Sequence, residues 1–171
     1  MQPLTTERLA LRPFTPGDAE AAFGFFGDPA VMRFSLHGPH ASRKTTEDFI
    51  VTNINRQARL DCSIWAVTER ADGAIVGMCG LAEFGHGVPG IELAYRLRRD
   101  RWGRGYATEA GRRAVAHAFG SLGLDRLIAA VERQNSASIR VLEKCGFVFV
   151  RDQEIAGKDA LVFEQGAPDR N

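Results

Sequence analysis

"RRDRWGRGYATEA", Arg98 to Ala110, sets four arginines and two closely spaced glycines at the mouth of a helix. The run before it, "IELAYRL" (Ile91 to Leu97), alternates in a strand's period of two, with Ile91, Leu93, Tyr95 and Leu97 on one face and Glu92, Ala94 and Arg96 on the other. The whole stretch therefore reads as a strand, a glycine loop and a helix start. Backbone N–H groups at a helix start have no acceptor within the helix, and glycine lets an anion approach them closely. Arg98, Arg99, Arg101 and Arg104 add a field that favours a ligand with several phosphates. This is a candidate anion site, although a solvated arginine-rich turn explains the loop alone equally well.

Downstream, "YATEAGRRAVAHAF" (Tyr106 to Phe119) continues as a helix closed by Gly120, and "RLIAAVE" (Arg126 to Glu132) is a short apolar strand. A last helix starts on Asn135 as N-cap and ends at Gly146, a suitable residue for the position just past a helix. "FVFVRDQ" and "ALVFE" follow as strands. Upstream, "SIWAVTE" and "AIVGMCGLAEF" flank the turn "RADG" as a hairpin. Earlier still, "RLALRP" is a strand stopped by Pro13, and Thr15 with Pro16 opens a helix. A second helix spans Ser42 to Leu60, with Phe49, Ile50, Ile54 and Ala58 at helical spacing. The order is strand, two helices, three strands, helix, strand, helix, two strands, which describes an α+β fold with a mixed sheet.

A chain of 171 residues with 44% hydrophobic and 25% charged residues suits one domain, 1–171, with one sizeable core. At a net charge of +1, nucleic-acid binding would require a local patch, and no nucleic-acid partner is expected. No apolar run approaches the ~18 residues of a membrane span, and the first residues lack the apolar core of a signal peptide. A cytoplasmic protein is expected, without a membrane partner. Cys62, Cys79 and Cys145 form no C-x-x-C pair and read as reduced core thiols. His37, His40, His86 and His117 show no metal-ligand spacing, so no metal is expected.

Two phosphate loops can be tested against the glycines. A P-loop needs Gly-Lys followed by Ser or Thr at its own spacing, which is absent. A dinucleotide fingerprint fits better, with Glu132 as the ribose-binding acid. However, Thr108 occupies its third glycine, and the 39 residues after Glu132 are too few for a second nucleotide-binding half.

"WGRGYATEA" together with "NSASIRVLEKCGF" (Asn135 to Phe147) resembles the acetyl-CoA-binding segments of the GNAT acetyltransferase superfamily, and in particular its RimJ/RimL-like branch. "TERLALRPFTPGDAEAAF" resembles that branch's opening strand and helix. The resemblance implies a mostly antiparallel central sheet, splayed at the acetyl-CoA site and flanked by helices. It implies that backbone amides around Arg101, Trp102, Gly103, Arg104, Gly105, Tyr106, Ala107 and Thr108 hold the pyrophosphate of coenzyme A. Acetyl-pantetheine then lies between "IELAYRL" and "RLIAAVE" like an added strand, beside Leu93, Tyr95 and Leu97. Asn135, Ser138 and Arg140 approach from the last helix, where Ser138 would reach the thioester or the CoA sulfur; a plain solvent-facing hydroxyl is the alternative. Two positions depart from the family: Asp100 stands where Gln or Arg is common, and Leu142 where many relatives carry a tyrosine general acid. Protonation of the leaving thiolate then falls to Ser138 or water.

The implied reaction is N-acetyl transfer from acetyl-CoA to a primary amine, most plausibly a protein or peptide N-terminus. The alternatives are a small amine (amino acid, polyamine or aminoglycoside) or a non-catalytic acyl-CoA-binding module, as monomer or homodimer. The attacking amine must be neutral. At pH 7 about 10% of an α-amine is neutral but only about 0.04% of a lysine, so an α-amine needs only a modest base. Glu92 is the candidate base, and a salt bridge with Arg96 is its structural alternative. Glu109 is expected to oppose the positive helix end or to pair with Arg112 or Arg113. Phe34, His37, Glu83 and His86 are candidates for the acceptor side.

Overall fold

The computed structural model describes residues 3–60, 63–85 and 89–168, with side chains for all of these but 57–60. Cys62 and His86 lie outside them. The described strands are β1 (Leu4–Thr5), β2 (Leu9–Arg12), β3 (Ile64–Glu69), β4 (Ile75–Glu83), β5 (Ile91–Leu97), β6 (Arg126–Glu132), β7 (Val148–Ile155) and β8 (Lys158–Gly166). The helices are α1 (Ala19–Phe26), α2 (Arg43–Leu60), α3 (Tyr106–Gly120) and α4 (Ser136–Lys144). The strands form one sheet in the order β1-β2-β3-β4-β5-β6-β8-β7. Every neighbouring pair is antiparallel except β5 with β6. This is the mixed, mostly antiparallel α+β fold expected from the order of elements.

Strand alternation sorts the core into two layers. On one face Leu93 and Leu97 of β5 pack with Ala110 and Ala114 of α3 and Leu142 of α4. On the other, Met78 of β4 joins Phe25 and Phe26 of α1 and Ile50 of α2. Covered on both sides, β4 is buried continuously from Ile75 to Leu81, which explains its near-unbroken apolar run. Cys79 and Cys145 are buried thiols.

Several boundaries differ from the sequence expectation. Thr15 is extended as expected of an N-cap, but Pro16–Asp18 form a 3-10 turn before α1 begins. There the Asp18 carboxylate accepts from the Thr15 amide at 2.7 Å and from Arg12 at 2.7 and 2.9 Å. β1, two residues long, carries too little pattern to be read from sequence. α2 begins at Arg43, and β7 and β8 run further than their apolar cores, to Ile155 and Gly166. Their polar ends are held by pairing, which no hydropathy pattern records.

Candidate active site

The break in the sheet makes the site. β4 and β5 share seven register pairs and β6 and β8 another seven, whereas β5 and β6 share the single pair Glu92–Ile128. Beyond that pair the parallel strands diverge. The opening is a cleft of about 590 Å³, lined by Leu93 to Leu97 of β5, Ala129 to Glu132 of β6, the glycine loop and α4.

The glycine loop is built to expose its backbone. Gly103 and Gly105 have φ of 75° and 79°, the left-handed region that glycine enters without penalty, and a Cβ at Gly103 would meet no atom within 4 Å. The first bond of α3 runs from the Glu109 amide to the Gly105 carbonyl at 3.0 Å, so the amides of Tyr106, Ala107 and Thr108 precede the helical ladder. All three residues line the cleft, where a phosphate-bearing ligand could accept from such amides.

The arginines around the loop divide into two groups. Arg101 bonds the Glu69 carboxylate at 3.1 and 3.2 Å and Asp100 at 2.7 Å, and Arg98 also bonds Asp100 at 3.0 Å. Asp100 thus clamps two arginines, and with Glu69 at the end of β3 it offsets their charge. Tyr106 donates to Glu69 at 2.7 Å, and the Trp102 indole donates to the Leu97 carbonyl at 2.8 Å. Arg99 and Arg104 stay exposed, and Arg104 is absent from the cleft wall; its carbonyl accepts from Arg8 at 3.0 Å. Further cleft-lining positive charge comes from Arg140 and Lys144, one turn apart on α4, and from Arg96 of β5. Lys144 was missed in the sequence, although its i,i+4 spacing from Arg140 is a readable signal.

Glu109 stands in the first turn of α3, at the positive helix end as expected, but its partners are not the expected arginines. It bonds Thr6 Oγ1 at 2.6 Å, the Arg8 amide at 2.9 Å and Arg8 Nε at 2.7 Å, not Arg112 or Arg113. Burial pushes its carboxyl up, but the bonds from Thr6 and Arg8 outweigh that and hold it below its usual value. Arg112 instead donates to the Lys144 carbonyl at 2.9 Å, closing the end of α4. Residues 103 positions apart in sequence meet here, which local spacing could not reveal.

At the inner end of the cleft, Glu92 is the last β5 residue paired to β6. Burial pushes its carboxyl up from 4.5 to about 7, against the opposing pull of Arg96. The two side chains do not come within the 4 Å of an ion pair, so the salt-bridge alternative is not realised. Asn135 caps α4 by accepting from the Ser138 amide at 3.2 Å, and Tyr95 donates to the Ser138 carbonyl at 3.0 Å. Burial, the larger influence, raises the Tyr95 phenol. The Ser138 hydroxyl is therefore carried on a helix start fixed from both sides. Leu142 is buried and lines the cleft, offering no acid.

Fifteen of the sequence candidates line this one cleft: Glu92, Leu93, Tyr95, Leu97, Arg101, Trp102, Gly103, Gly105, Tyr106, Ala107, Thr108, Asn135, Ser138, Arg140 and Phe34. His37 and Glu83 do not line it, and Glu83 sits exposed at the end of β4. Ala30, Val31 and Ser35, from the connection between α1 and α2, were missed; no sequence period marks a loop that folds over a strand.

Residues 8–148 match the acetyltransferase (GNAT) domain family. The chain belongs to the GNAT acetyltransferases. It is 31% identical to the uncharacterized N-acetyltransferase YoaA of Bacillus subtilis, over 84% of this chain and 81% of that one. It is 25% identical to the spermidine N(1)-acetyltransferase of Escherichia coli, over 81% and 72%. A GNAT acetyltransferase structure from Bacillus anthracis superposes with a TM-score of 0.85 at 24% identity, over 96% and 98%. RimL, an α-N-protein acetyltransferase solved with coenzyme A, superposes at 0.83 and 15% identity, over 97% and 98%. The protein is an N-acetyltransferase, and GNAT enzymes take their acetyl group from acetyl-CoA. The open amides, the left-handed glycines and the diverging strands fit that cofactor. Among the described residues no helix is long and apolar enough to cross a membrane.

Proposed function

We propose that this GNAT domain, spanning 1–171, is a RimJ/RimL-like enzyme that acetylates the α-amine of a protein or peptide N-terminus. The observation that carries the reading is Glu92: a carboxyl held at about 7 at the inner end of the cleft. Such a base is matched to an α-amine, which titrates near 7.7 to 8.0, and poorly matched to a lysine-like amine near 10.4.

In this reading the amides from Gly103 to Thr108 hold the pyrophosphate, with Arg140 and Lys144 facing it. Leu93, Tyr95 and Leu97 line the pantetheine path, where exposed strand edges of β5 and β6 supply hydrogen bonds. Bound acetyl-CoA supplies a thioester carbonyl as electrophile. Glu92 accepts the proton lost by the amine as the new C–N bond forms, directly or through one water. The Ser138 hydroxyl donates toward the departing sulfur, and solvent completes its protonation. Phe34 packs on the acceptor side.

The relative named as a spermidine N(1)-acetyltransferase favours a second reading, acetylation of a small polyamine. A panel of peptides, free amino acids, spermidine and an aminoglycoside, read by mass spectrometry with acetyl-CoA, separates the two. Transfer to peptide N-termini supports the first; transfer to spermidine with none to peptides overturns it.

A further inference from the structure

Arg96 stands opposite the cofactor's face of β5, two residues beyond Ala94 and four beyond Glu92. Its strand neighbour on β4 is Met78, in the layer packed under α1 and α2. Burial, the dominant influence, lowers its pKa, with Glu92 pulling the other way. A guanidinium carries five N–H donors, and here one bond is formed, from Nη2 to Ser35 Oγ at 3.3 Å. No carboxylate of the described residues lies within ion-pair distance of it. Arg96 is half-buried, so its charge is only partly hydrated, and both it and buried Ser35 line the cleft.

Among the described residues, Glu92 is the acid whose charge acts on Arg96. Arg96 and His37 both act on His40, whose ring is held below its ordinary value chiefly by burial. The His40 ring pairs with Thr46 at 2.9 Å and stacks on Phe26 at 4.6 Å. Arg33 lies over the Phe34 ring at 5.1 Å on the same loop. Glu92 is the acid on this β5 face, and the proposed reaction assigns it to the amine. Between the two, Ala94 has a small side chain and lines the cleft, leaving room for an acceptor along the strand.

We infer that Arg96 is a specificity residue that binds a carboxylate of the acceptor, placed beyond the amine held at Glu92. The inference rests on the reading that Glu92 faces the acceptor amine. Glu92 and Arg96 are about 13 Å apart along the strand, measured Cα to Cα. A guanidinium on that face favours an acidic side chain in the first residues of a peptide. It disfavours a polycation.

The test compares peptides identical except for aspartate, alanine or lysine at the second position, with free aspartate and spermidine as further acceptors. For the native enzyme kcat/KM is expected to be about tenfold or more higher for the aspartate peptide than for the alanine one, through KM. In Arg96→Met, of similar length and without charge, that ratio falls to near one; Arg96→Lys retains part of it. The ratio is taken within each variant, so it does not depend on the fraction folded, and Ser35→Ala, which removes the partner of Arg96, is expected to lower it as well. Equal use of all three peptides by the native enzyme, or an unchanged ratio in Arg96→Met, overturns the inference while leaving the N-terminal reading intact. Acetylation of free aspartate without any peptide overturns the N-terminal reading and keeps the carboxylate site. Preference for spermidine overturns both.

Discussion

Replacing Glu92 by Gln keeps the shape of the side chain and removes its titration. In the native protein the Glu92 carboxyl sits at about 7, so its charged fraction rises from about 10% at pH 6 to about 90% at pH 8. As the base it gives kcat/KM, which reports the free enzyme, an acid limb with a midpoint near 7. Glu92→Gln is expected to lose that limb and to lower kcat by about 10² to 10⁴-fold, the usual contribution of a positioned base. Stability moves the other way. The folded state binds the Glu92 proton more tightly than the unfolded chain, so native stability falls as pH rises from 4.5 through 7. The rise from 4.5 to about 7 corresponds to about 3 kcal/mol against the charged folded form, all of it present at pH 8. Glu92→Gln is therefore expected to be more stable than the native enzyme at pH 8, in denaturant melts, while being far less active. A variant with native kcat and the same acid limb refutes the assignment of Glu92 as base. A variant that is inactive and less stable at pH 8 refutes the claim that burial dominates this carboxyl.

Gly105→Ala puts a Cβ on backbone at φ 79°, which costs about 1 kcal/mol in a thermal melt and weakens the stabilisation given by added CoA. Glu109→Ala leaves Thr6 and Arg8 without their acceptor and is expected to destabilise by about 2 kcal/mol at pH 7 in urea. Because the Glu109 carboxyl is held below 4.5, the difference is full above 4.5 and shrinks as pH falls through the lowered folded value. Ser138→Ala keeps the helix cap, whose bond uses the Ser138 amide, and is expected to lower kcat about tenfold with the KM for acetyl-CoA unchanged.

Local signals carried most of the fold into the sequence. β5 and β6 were legible with their true ends because alternation and a flanking glycine or turn bound each one. Asn135 and Gly146 marked α4 because capping is a property of single residues. What stayed hidden depends on contacts between distant segments. Spacing offered Arg112 and Arg113 as partners for Glu109, yet β2 carries Arg8's segment to the start of α3. The field of four arginines read from the loop is reduced in the fold, since Asp100 and Glu69 pair with two of them. Composition counts charges without saying which are already neutralised.

The period of a β-strand also gives the site its logic. On β5, Leu93, Tyr95 and Leu97 turn toward α3 and α4, while Glu92, Ala94 and Arg96 turn toward the loop between α1 and α2. In the proposed reaction the donor lies along the edge that β6 vacates, and the acceptor meets the Glu92 face. One strand thus serves two substrates without their pockets competing for side chains. A shift of register by one residue would exchange the two sets and destroy both functions together. The seven pairs to β4 hold the register on one side while the single pair to β6 leaves the other side free. Rigidity and opening are therefore assigned to opposite edges of the same strand, so residues on the acceptor face can vary in specificity without loosening the cofactor cleft.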